Sequence, residues 1–149
     1  MRVYIGCSGF YYRDWVGAFY PPRLKKQEWL RYYEKFFNVL ELNAFFYRFP
    51  DRGTVKSLLE RTSKLRFALK AHRVFTHRRN YSQEDPRRFL YSIEPIVKEE
   101  RFIAILFQFP SNFGYSAEAL SYIEKLSESF RGFDRVLEVR NKGFRRADF

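Results

Sequence analysis

Five short apolar runs recur along the chain, and each is followed by polar turn residues and then by a stretch with helical spacing. This alternation is typical of βα units in a parallel sheet. The runs predict strands near residues 2 to 6, 38 to 43, 66 to 71, 102 to 108 and 135 to 140. Because the chain has no low-complexity segment or linker, we expect one domain over residues 1 to 149.

Apolar residues at helical spacing predict four helices between these strands. The first two face the core through Trp29, Tyr33, Phe36 and Phe37, and through Val55, Leu58, Leu59 and Thr62. Asp85 is predicted as the N-cap of the third helix with Pro86 at its first position, and Pro95 should kink or split that helix. Ser116 is predicted to cap the fourth helix, and Gly132 to end it.

Such units build either an open doubly wound sheet or a (β/α)8 barrel. Neither G-x-G-x-x-G nor G-x-x-x-x-G-K-[ST] follows the first strand. The sequence therefore lacks the usual phosphate-binding motifs of open nucleotide-binding folds. We therefore predict an α/β, TIM-barrel-like fold. A barrel needs eight strands and typically about 250 residues. The 149 residues offer about five βα units, so we expect an incomplete (β/α)8 barrel whose open first and fifth strands promote self-association.

The predicted strands end in polar residues on one of their two faces. Side chains alternate along a strand, and within each strand these polar residues share one face: Glu41 and Asn43, Lys70 and His72, Gln108, and Glu138 and Arg140. Parallel strands are normally apolar on both faces, and barrel enzymes place catalysis at the C-terminal strand ends. The polar ends therefore predict a site at the mouth of the sheet. A structural alternative is an ion-pair network of the two glutamates with Lys70 and Arg140.

The loops beyond the strands add further candidates for the site. They contain Ser8, Thr76, His77 and the aromatic and basic stretch from Tyr11 to Trp15. Mixed rings and cations of this kind can stack on bases or sugars and hold phosphates. The alternative for the aromatic stretch is a satellite hydrophobic cluster under the loop.

Charge and cysteine content narrow the class of protein. The formal net charge of +11, from 28 Lys and Arg against 17 Asp and Glu, favours polyanionic partners such as nucleic acid or phosphorylated metabolites. A solvated surface rich in Arg and Glu is the alternative. The single cysteine excludes an internal disulfide and fits a reducing compartment, and no apolar run approaches about 18 residues. We expect a cytoplasmic protein that does not span a membrane.

Two chemical alternatives involve a nucleophile and a metal. Cys7 lies at a strand end, but it has no C-x-x-C partner or assigned base. His72 and His77 with Glu41 and Glu138 could bind a divalent metal, but their spacing matches no compact metal motif. The sequence assigns no metal site and no cofactor.

Five ordered motifs resemble the YecE-like family, domain-of-unknown-function family seventy-two. They are Ile5-Gly6-Cys7-Ser8-Gly9-Phe10 with Asp14-Trp15 and Phe19-Tyr20-Pro21, Glu41-Leu42-Asn43 with Phe46-Tyr47, Lys70-Ala71-His72-Arg73 with Thr76-His77, Gln108-Phe109-Pro110, and Glu138-Val139-Arg140. The resemblance implies a TIM-barrel-like fold whose full-length members have further strands. The family has no settled activity, and the likeness of its barrel to sugar isomerases and metal-dependent apurinic endonucleases transfers no mechanism.

We therefore hypothesise a small polar or phosphorylated ligand at the mouth, handled as by a hydrolase, lyase or isomerase. Candidate catalytic residues are Glu41, Lys70, His72 and Glu138, and candidate ligand-binding residues are Ser8, Trp15, Asn43, Tyr47, His77, Gln108 and Arg140. Lys70 and Arg140 would hold an anionic group, one of the two glutamates would be the general base, and one of the two histidines would be an acid or an orienting group. The alternatives are a nucleic-acid-binding or metal-dependent nuclease-like protein and an inactive truncated remnant.

Overall fold

The computed structural model describes residues 3–146 and contains one parallel sheet of five strands. The strands are β1 (Gly6–Ser8), β2 (Val39–Leu42), β3 (Arg66–Lys70), β4 (Phe102–Phe109) and β5 (Arg135–Val139). The helices are α1 (Trp29–Tyr33), α2 (Ala44–Tyr47), α3 (Arg52–Glu60), α4 (Glu84–Lys98) and α5 (Ala117–Ser129). None of the helices within residues 3–146 is long and apolar enough to cross a membrane.

The strands lie in the sheet in their chain order, β1-β2-β3-β4-β5, and every neighbouring pair is parallel. A doubly wound sheet reverses direction at a switch point, so its strand order does not follow the sequence in this way. Successive right-handed crossovers in one direction bring the helices to one face, as in a barrel. The predicted α/β class with five parallel βα units is confirmed, and the order is the one that a TIM-barrel-like fold requires.

Burial confirms the predicted alternation of strand faces in β2, β3 and the second half of β4, but not in β5, where Leu137 of the predicted apolar face is 41% exposed. One face joins the helices in a common core through Leu40, Leu42, Phe67, Leu69, Ile105 and Phe107. The other face carries the half-buried residues Val39, Glu41, Ala68, Lys70, Leu106 and Gln108. The polar strand ends therefore lie on the face away from the helices.

The first strand begins later than predicted: it spans Gly6–Ser8 and not residues 2 to 6, of which residue 2 lies outside the described part. Before Gly6 the chain pairs with Asn38 instead. The Ile5 N–H donates to Asn38 Oδ1 at 2.7 Å, and the Asn38 N–H donates to the Ile5 carbonyl at 3.1 Å. The side-chain amide thus replaces part of the ladder, and strand pairing starts with Gly6 opposite Val39.

The first predicted helix is shorter than expected, since α1 ends at Tyr33. The N–H groups of Phe36 and Phe37 both donate to the Tyr33 carbonyl, which closes the chain into a turn. Phe36 is consequently 58% exposed and does not face the core.

The second predicted helix is confirmed as α3. Its Val55, Leu58 and Leu59 are buried in the core. Thr62 lies just beyond the helix end, where its hydroxyl donates to the Leu58 carbonyl at 2.8 Å.

The N-terminus of α4 differs from the prediction, because the helix begins at Glu84 and Asp85 lies within its first turn. Asp85 Oδ2 accepts from the Ser82 N–H at 2.7 Å and from the Ser82 hydroxyl at 3.0 Å. This contact is the acidic half of a capping box. Pro86 remains in the first turn, where a missing N–H is tolerated.

Pro95 does not split α4, which continues to Lys98. A proline removes the N–H that would bond the carbonyl four residues earlier, here that of Tyr91. Arg52 Nη1 from α3 donates to this carbonyl at 2.8 Å, and the same guanidinium pairs with Glu94. A neighbouring arginine therefore satisfies the group that the proline leaves free.

The predicted ends of α5 are confirmed. Ser116 Oγ accepts from the Ala119 N–H at 3.1 Å. The helix ends at Ser129, and Gly132 follows with a φ of 88°, a conformation that favours glycine.

We expect Arg52→Met to lower the free energy of unfolding by about 1 to 2 kcal/mol, because the Tyr91 carbonyl loses a charged donor. In a Pro95→Ala background the same change should cost less, since an alanine N–H can bond that carbonyl. Urea denaturation of the four proteins measures this coupling, with the exposed Lys56→Met on α3 as control. Equal losses in both backgrounds would show that the guanidinium acts through Glu94 alone.

The sheet edges generate a prediction about association. Among the described residues, β1 and β5 each have one neighbouring strand. Ile5, just before β1, is 62% exposed, and Leu137, within β5, is 41% exposed. Because open edges pair with other chains, we predict that the 149-residue chain self-associates and that Leu137→Lys weakens this association. Sedimentation velocity is the measurement, with Val16→Lys, also 41% exposed, as control. A compact monomer of the unchanged chain would contradict the prediction.

Candidate functional site

Four polar side chains form a continuous hydrogen-bonded chain across the ends of β3, β4 and β5. Lys70 Nζ donates to Gln108 Oε1 at 2.9 Å, and Gln108 Nε2 donates to Glu138 Oε2 at 2.7 Å. Arg140 Nε then donates to Glu138 Oε1 at 3.2 Å. The structure thus brings four of the predicted site residues into one group.

The group carries two cations and one carboxylate. The hydrogen bond from Gln108 holds the pKa of Glu138 below its usual value, and Arg140 and Lys70 lower it further. Glu138 is therefore ionised at neutral pH, and the group as a whole is positive. An arrangement with this net charge attracts an anionic ligand.

Phe46 and His77 complete the surroundings of Lys70. The Lys70 ammonium lies 4.9 Å from the centroid of the Phe46 ring. The His77 ring contacts the same phenyl ring edge-on at 4.8 Å, and Thr76 Oγ1 lies 2.9 Å from His77 Nδ1. The phenyl ring therefore contacts both a fixed cation and a titratable ring.

The environment of His77 keeps its imidazole neutral. His77 is exposed as a whole, but its ring is partly removed from water, and this desolvation lowers the pKa of the imidazole. The charges of Lys70 and Arg140 lower that pKa further. A neutral imidazole can accept a proton, which a charged one cannot. The site therefore combines cations with a proton acceptor.

A second bonded group lies at the ends of β1 and β2. The Ser8 hydroxyl donates to Glu41 Oε1 at 2.6 Å and accepts a hydrogen bond from Asn43 Nδ2. Within the described part of the chain, Asn43 Oδ1 is buried without a hydrogen-bond partner. The predicted site residues of these two strands thus contact one another and supply hydrogen-bond acceptors.

His72 does not join either group, although its parity in the sequence predicted that it would. Strand alternation stops at Lys70, where β3 ends. The His72 ring packs on Phe49 at 4.2 Å and is 9% exposed, its Nδ1 accepts from the Val74 N–H, and the Tyr47 carbonyl is a further partner. This histidine is bound into the fold by backbone groups.

Two other predicted ligand-binding residues lie apart from these groups. Trp15 is half-buried and contacts the rings of Tyr12, Phe19 and Tyr20, which matches the hydrophobic-cluster alternative. Tyr47 is 69% exposed and contacts Phe46. Within residues 3–146, neither side chain forms a hydrogen bond or a ring contact with Lys70, Gln108, Glu138 or Arg140.

The ion-pair network proposed as a structural alternative is mostly not formed. Of its members, only Glu138 and Arg140 lie within salt-bridge distance of each other in residues 3–146. Lys70 bonds an amide and Glu41 bonds a hydroxyl instead. The metal alternative is not assembled either, since no three metal-ligating groups of the described residues come together.

Phe46 is the site residue that the parity argument could not find. It belongs to α2, and its N–H donates to the Asn43 carbonyl at 3.1 Å. Strand alternation says nothing about such a residue. The signals available for it were its place three residues after a polar strand end and its part in the motif Phe46-Tyr47.

A cavity of about 460 Å³ lies at the opposite end of the sheet, away from these groups. Its lining mixes both signs of charge: Arg31, Glu34, Lys35, Glu60, Arg61 and Lys64. The Glu34 carboxylate already accepts from the N–H groups of Ser63 and Leu65. We therefore assign this cavity a structural role.

The chain is similar to known proteins over nearly its whole length. A family model described as "Protein of unknown function DUF72" matches residues 4–149. The UPF0759 protein YunF of Bacillus subtilis (strain 168) is 29% identical over 95% of this chain and 52% of its own length. The crystal structure of a DUF72 family protein from Thermotoga maritima MSB8 is 33% identical, with a TM-score of 0.85 over 97% of this chain and 58% of that one.

A second solved structure agrees in fold. It is a DUF72 family protein from Enterococcus faecalis V583, 23% identical, with a TM-score of 0.73 over 80% of this chain and 46% of that one. The chain thus spans about half the length of the relatives it matches.

We predict that Lys70→Met raises the pKa of His77, because a nearby like charge is removed. The pKa of His72 should not move, since Lys70 does not contribute to it. The chain has two histidines, so an NMR pH titration resolves both rings, with the exposed Lys125→Met as the matched control. An unchanged His77 midpoint would contradict the proximity of the two groups.

Proposed function

The chain belongs to the DUF72 family of proteins of unknown function, and we propose that it binds a small phosphorylated ligand at the C-terminal ends of β3, β4 and β5. The observation that carries this proposal is the bonded chain from Lys70 to Arg140, which presents two cations for one carboxylate. A hydrogen-bonded cation of this kind is held in place before a ligand arrives, which reduces the entropic cost of binding.

The two cations retain donors for a phosphate. Lys70 uses one of its three N–H donors on Gln108, and Arg140 uses its Nε on Glu138. The Arg140 side chain is 56% exposed. An ammonium and a guanidinium that remain open to solvent match the oxygens of a phosphate monoester.

The Ser8, Glu41 and Asn43 group supports a ligand that also carries hydroxyls. Carboxyl and amide oxygens accept hydrogen bonds, so Glu41 and Asn43 favour a ligand with O–H or N–H donors. The group lies at the ends of β1 and β2, whereas the cations lie at the ends of β3 and β5. A polyhydroxylated molecule with one phosphate has both kinds of group.

The neutral imidazole of His77 supports proton-transfer chemistry on such a ligand. Its Nδ1 is paired with Thr76, and its Nε2 has no hydrogen-bond partner in residues 3–146. A general base must be unprotonated at the working pH and within reach of the proton that it removes. These features favour isomerase or lyase chemistry, with Lys70 and Arg140 stabilising negative charge on the ligand.

We expect a hexose phosphate to raise the melting temperature of the chain, because a ligand that binds only the folded state stabilises it. The unphosphorylated hexose should have a smaller effect, and inorganic phosphate an intermediate one. Lys70→Met should weaken binding of the phosphorylated sugar at least about tenfold, which corresponds to about 1.4 kcal/mol. Melting curves across a ligand series measure both effects.

Lys125→Met is the matched control, since it removes the same charge from an exposed position on α5. It should leave binding of the hexose phosphate unchanged. An equal loss in both variants would assign the effect to net charge and contradict a site at Lys70. A melting temperature that shifted with neither the hexose phosphate nor inorganic phosphate would also contradict a site at Lys70.

A further inference from the structure

Three loops at the mouth of the sheet carry charge of one sign only. The loops are residues 71–83 after β3, 110–116 after β4 and 140–146 after β5, and together we call them the basic rim. They contain seven arginines and lysines and no aspartate or glutamate: Arg73, Arg78, Arg79, Arg140, Lys142, Arg145 and Arg146. A surface of this kind attracts polyanions.

The opposite end of the sheet shows no such excess. Its loops, residues 34–38, 61–65, 99–101 and 130–134, hold five cations and four carboxylates. The formal net charge of +11 is therefore unevenly distributed, with most of it on the mouth side. A merely solvated surface would not require this separation.

The cations of the basic rim are mostly not neutralised by the protein itself. Six of the seven have side chains that the structure describes, and of these only Arg140 lies within salt-bridge distance of a carboxylate. Arg78, Arg79, Lys142 and Arg145 are all exposed. Their charge is available to a partner in solution.

Aromatic contacts hold the three loops together. The Arg79 guanidinium lies 5.3 Å from the centroid of Phe113, which stacks on Phe144 at 5.8 Å and an interplanar angle of 14°. Tyr115 contacts the same Phe144 ring edge-on at 5.3 Å. Arg79, Phe113 and Phe144, one residue from each loop, thus pack against one another in sequence. These contacts fix the three loops relative to one another.

Exposed tyrosines accompany these cations at the same end of the sheet. Tyr115 is 47% exposed within the rim, and Tyr47, in the neighbouring segment after β2, is 69% exposed. Tyr11 and Tyr12, after β1, are 54% and 41% exposed. Cations that hold phosphates together with rings on which bases stack are the combination that binds single strands without strong sequence preference.

We propose that the basic rim binds single-stranded nucleic acid, with Arg78 and Arg79 on the phosphates and Tyr115 stacking on a base. Duplex DNA offers its charge equally well, but its bases are already stacked and closed to a tyrosine ring. The exposed rings therefore select the single strand. Arg78, Arg79 and Tyr115, which carry this proposal, are distinct from Lys70 and Gln108, whereas Arg140 belongs both to the rim and to the small-ligand site.

The test is fluorescence anisotropy of labelled oligothymidine and oligouridine with the 149-residue chain across a salt series. The double variant Arg78→Gln/Arg79→Gln should weaken binding at least about tenfold at 0.1 M salt and reduce the slope of log K against log salt by about 1.4, since each phosphate contact to a single strand contributes about 0.7. Tyr115→Ala should weaken binding about tenfold without changing the slope, because stacking releases no counterions.

The control is Lys64→Gln/Lys125→Gln, which removes two exposed cations from outside the rim and should leave binding unchanged. Equal weakening by both double variants, or no binding at low salt, would overturn the proposal. Equal affinity for a duplex, together with no effect of Tyr115→Ala, would overturn the single-strand assignment. Lys70→Met should leave oligonucleotide binding intact. The double variant Arg78→Gln/Arg79→Gln should retain the shift in melting temperature with hexose phosphate. The two proposals can therefore be contradicted separately.

Discussion

The parallel register of β3, β4 and β5 is the constraint on which the mouth of the sheet depends. Gln108 of β4 pairs with Glu138 of β5, and Lys70 of β3 pairs with Leu106, which lies two residues before Gln108 on β4. Because side chains alternate with a period of two, a slip of one residue would move Gln108 to the helix-covered face. The apolar residues of that face fix the register, so the core also determines which polar groups meet.

Stability alone does not account for the polar groups at the strand ends. The side chains of Glu138 and Arg140 are 42% and 56% exposed, and exposed ion pairs contribute about 0 to 1 kcal/mol. The cations of the basic rim have mostly no carboxylate to pair with among the described residues. Mutual repulsion of these like charges opposes folding, whereas an anionic ligand or partner would relieve it.

The regular parts of the fold and most of the site could be predicted from alternation alone. Lys70, Gln108 and Glu138 lie at strand ends where periodicity still holds, and the structure brings them together. His72 lies two residues beyond β3, where the backbone no longer alternates. Its position is set by contacts with Phe49 and backbone groups, which no sequence period encodes.

The remaining differences have the same origin, since each depends on a side chain that replaces a backbone partner. Asn38 takes the place of ladder pairing before Gly6, and Arg52 replaces the N–H that Pro95 lacks. Both contacts join residues more than 30 positions apart in the chain. Local propensity describes the cost of a proline or the preference for a strand, but it does not include a distant donor that offsets the cost. Alternation therefore predicts which face a residue takes, whereas the ends and interruptions of elements depend on the tertiary structure.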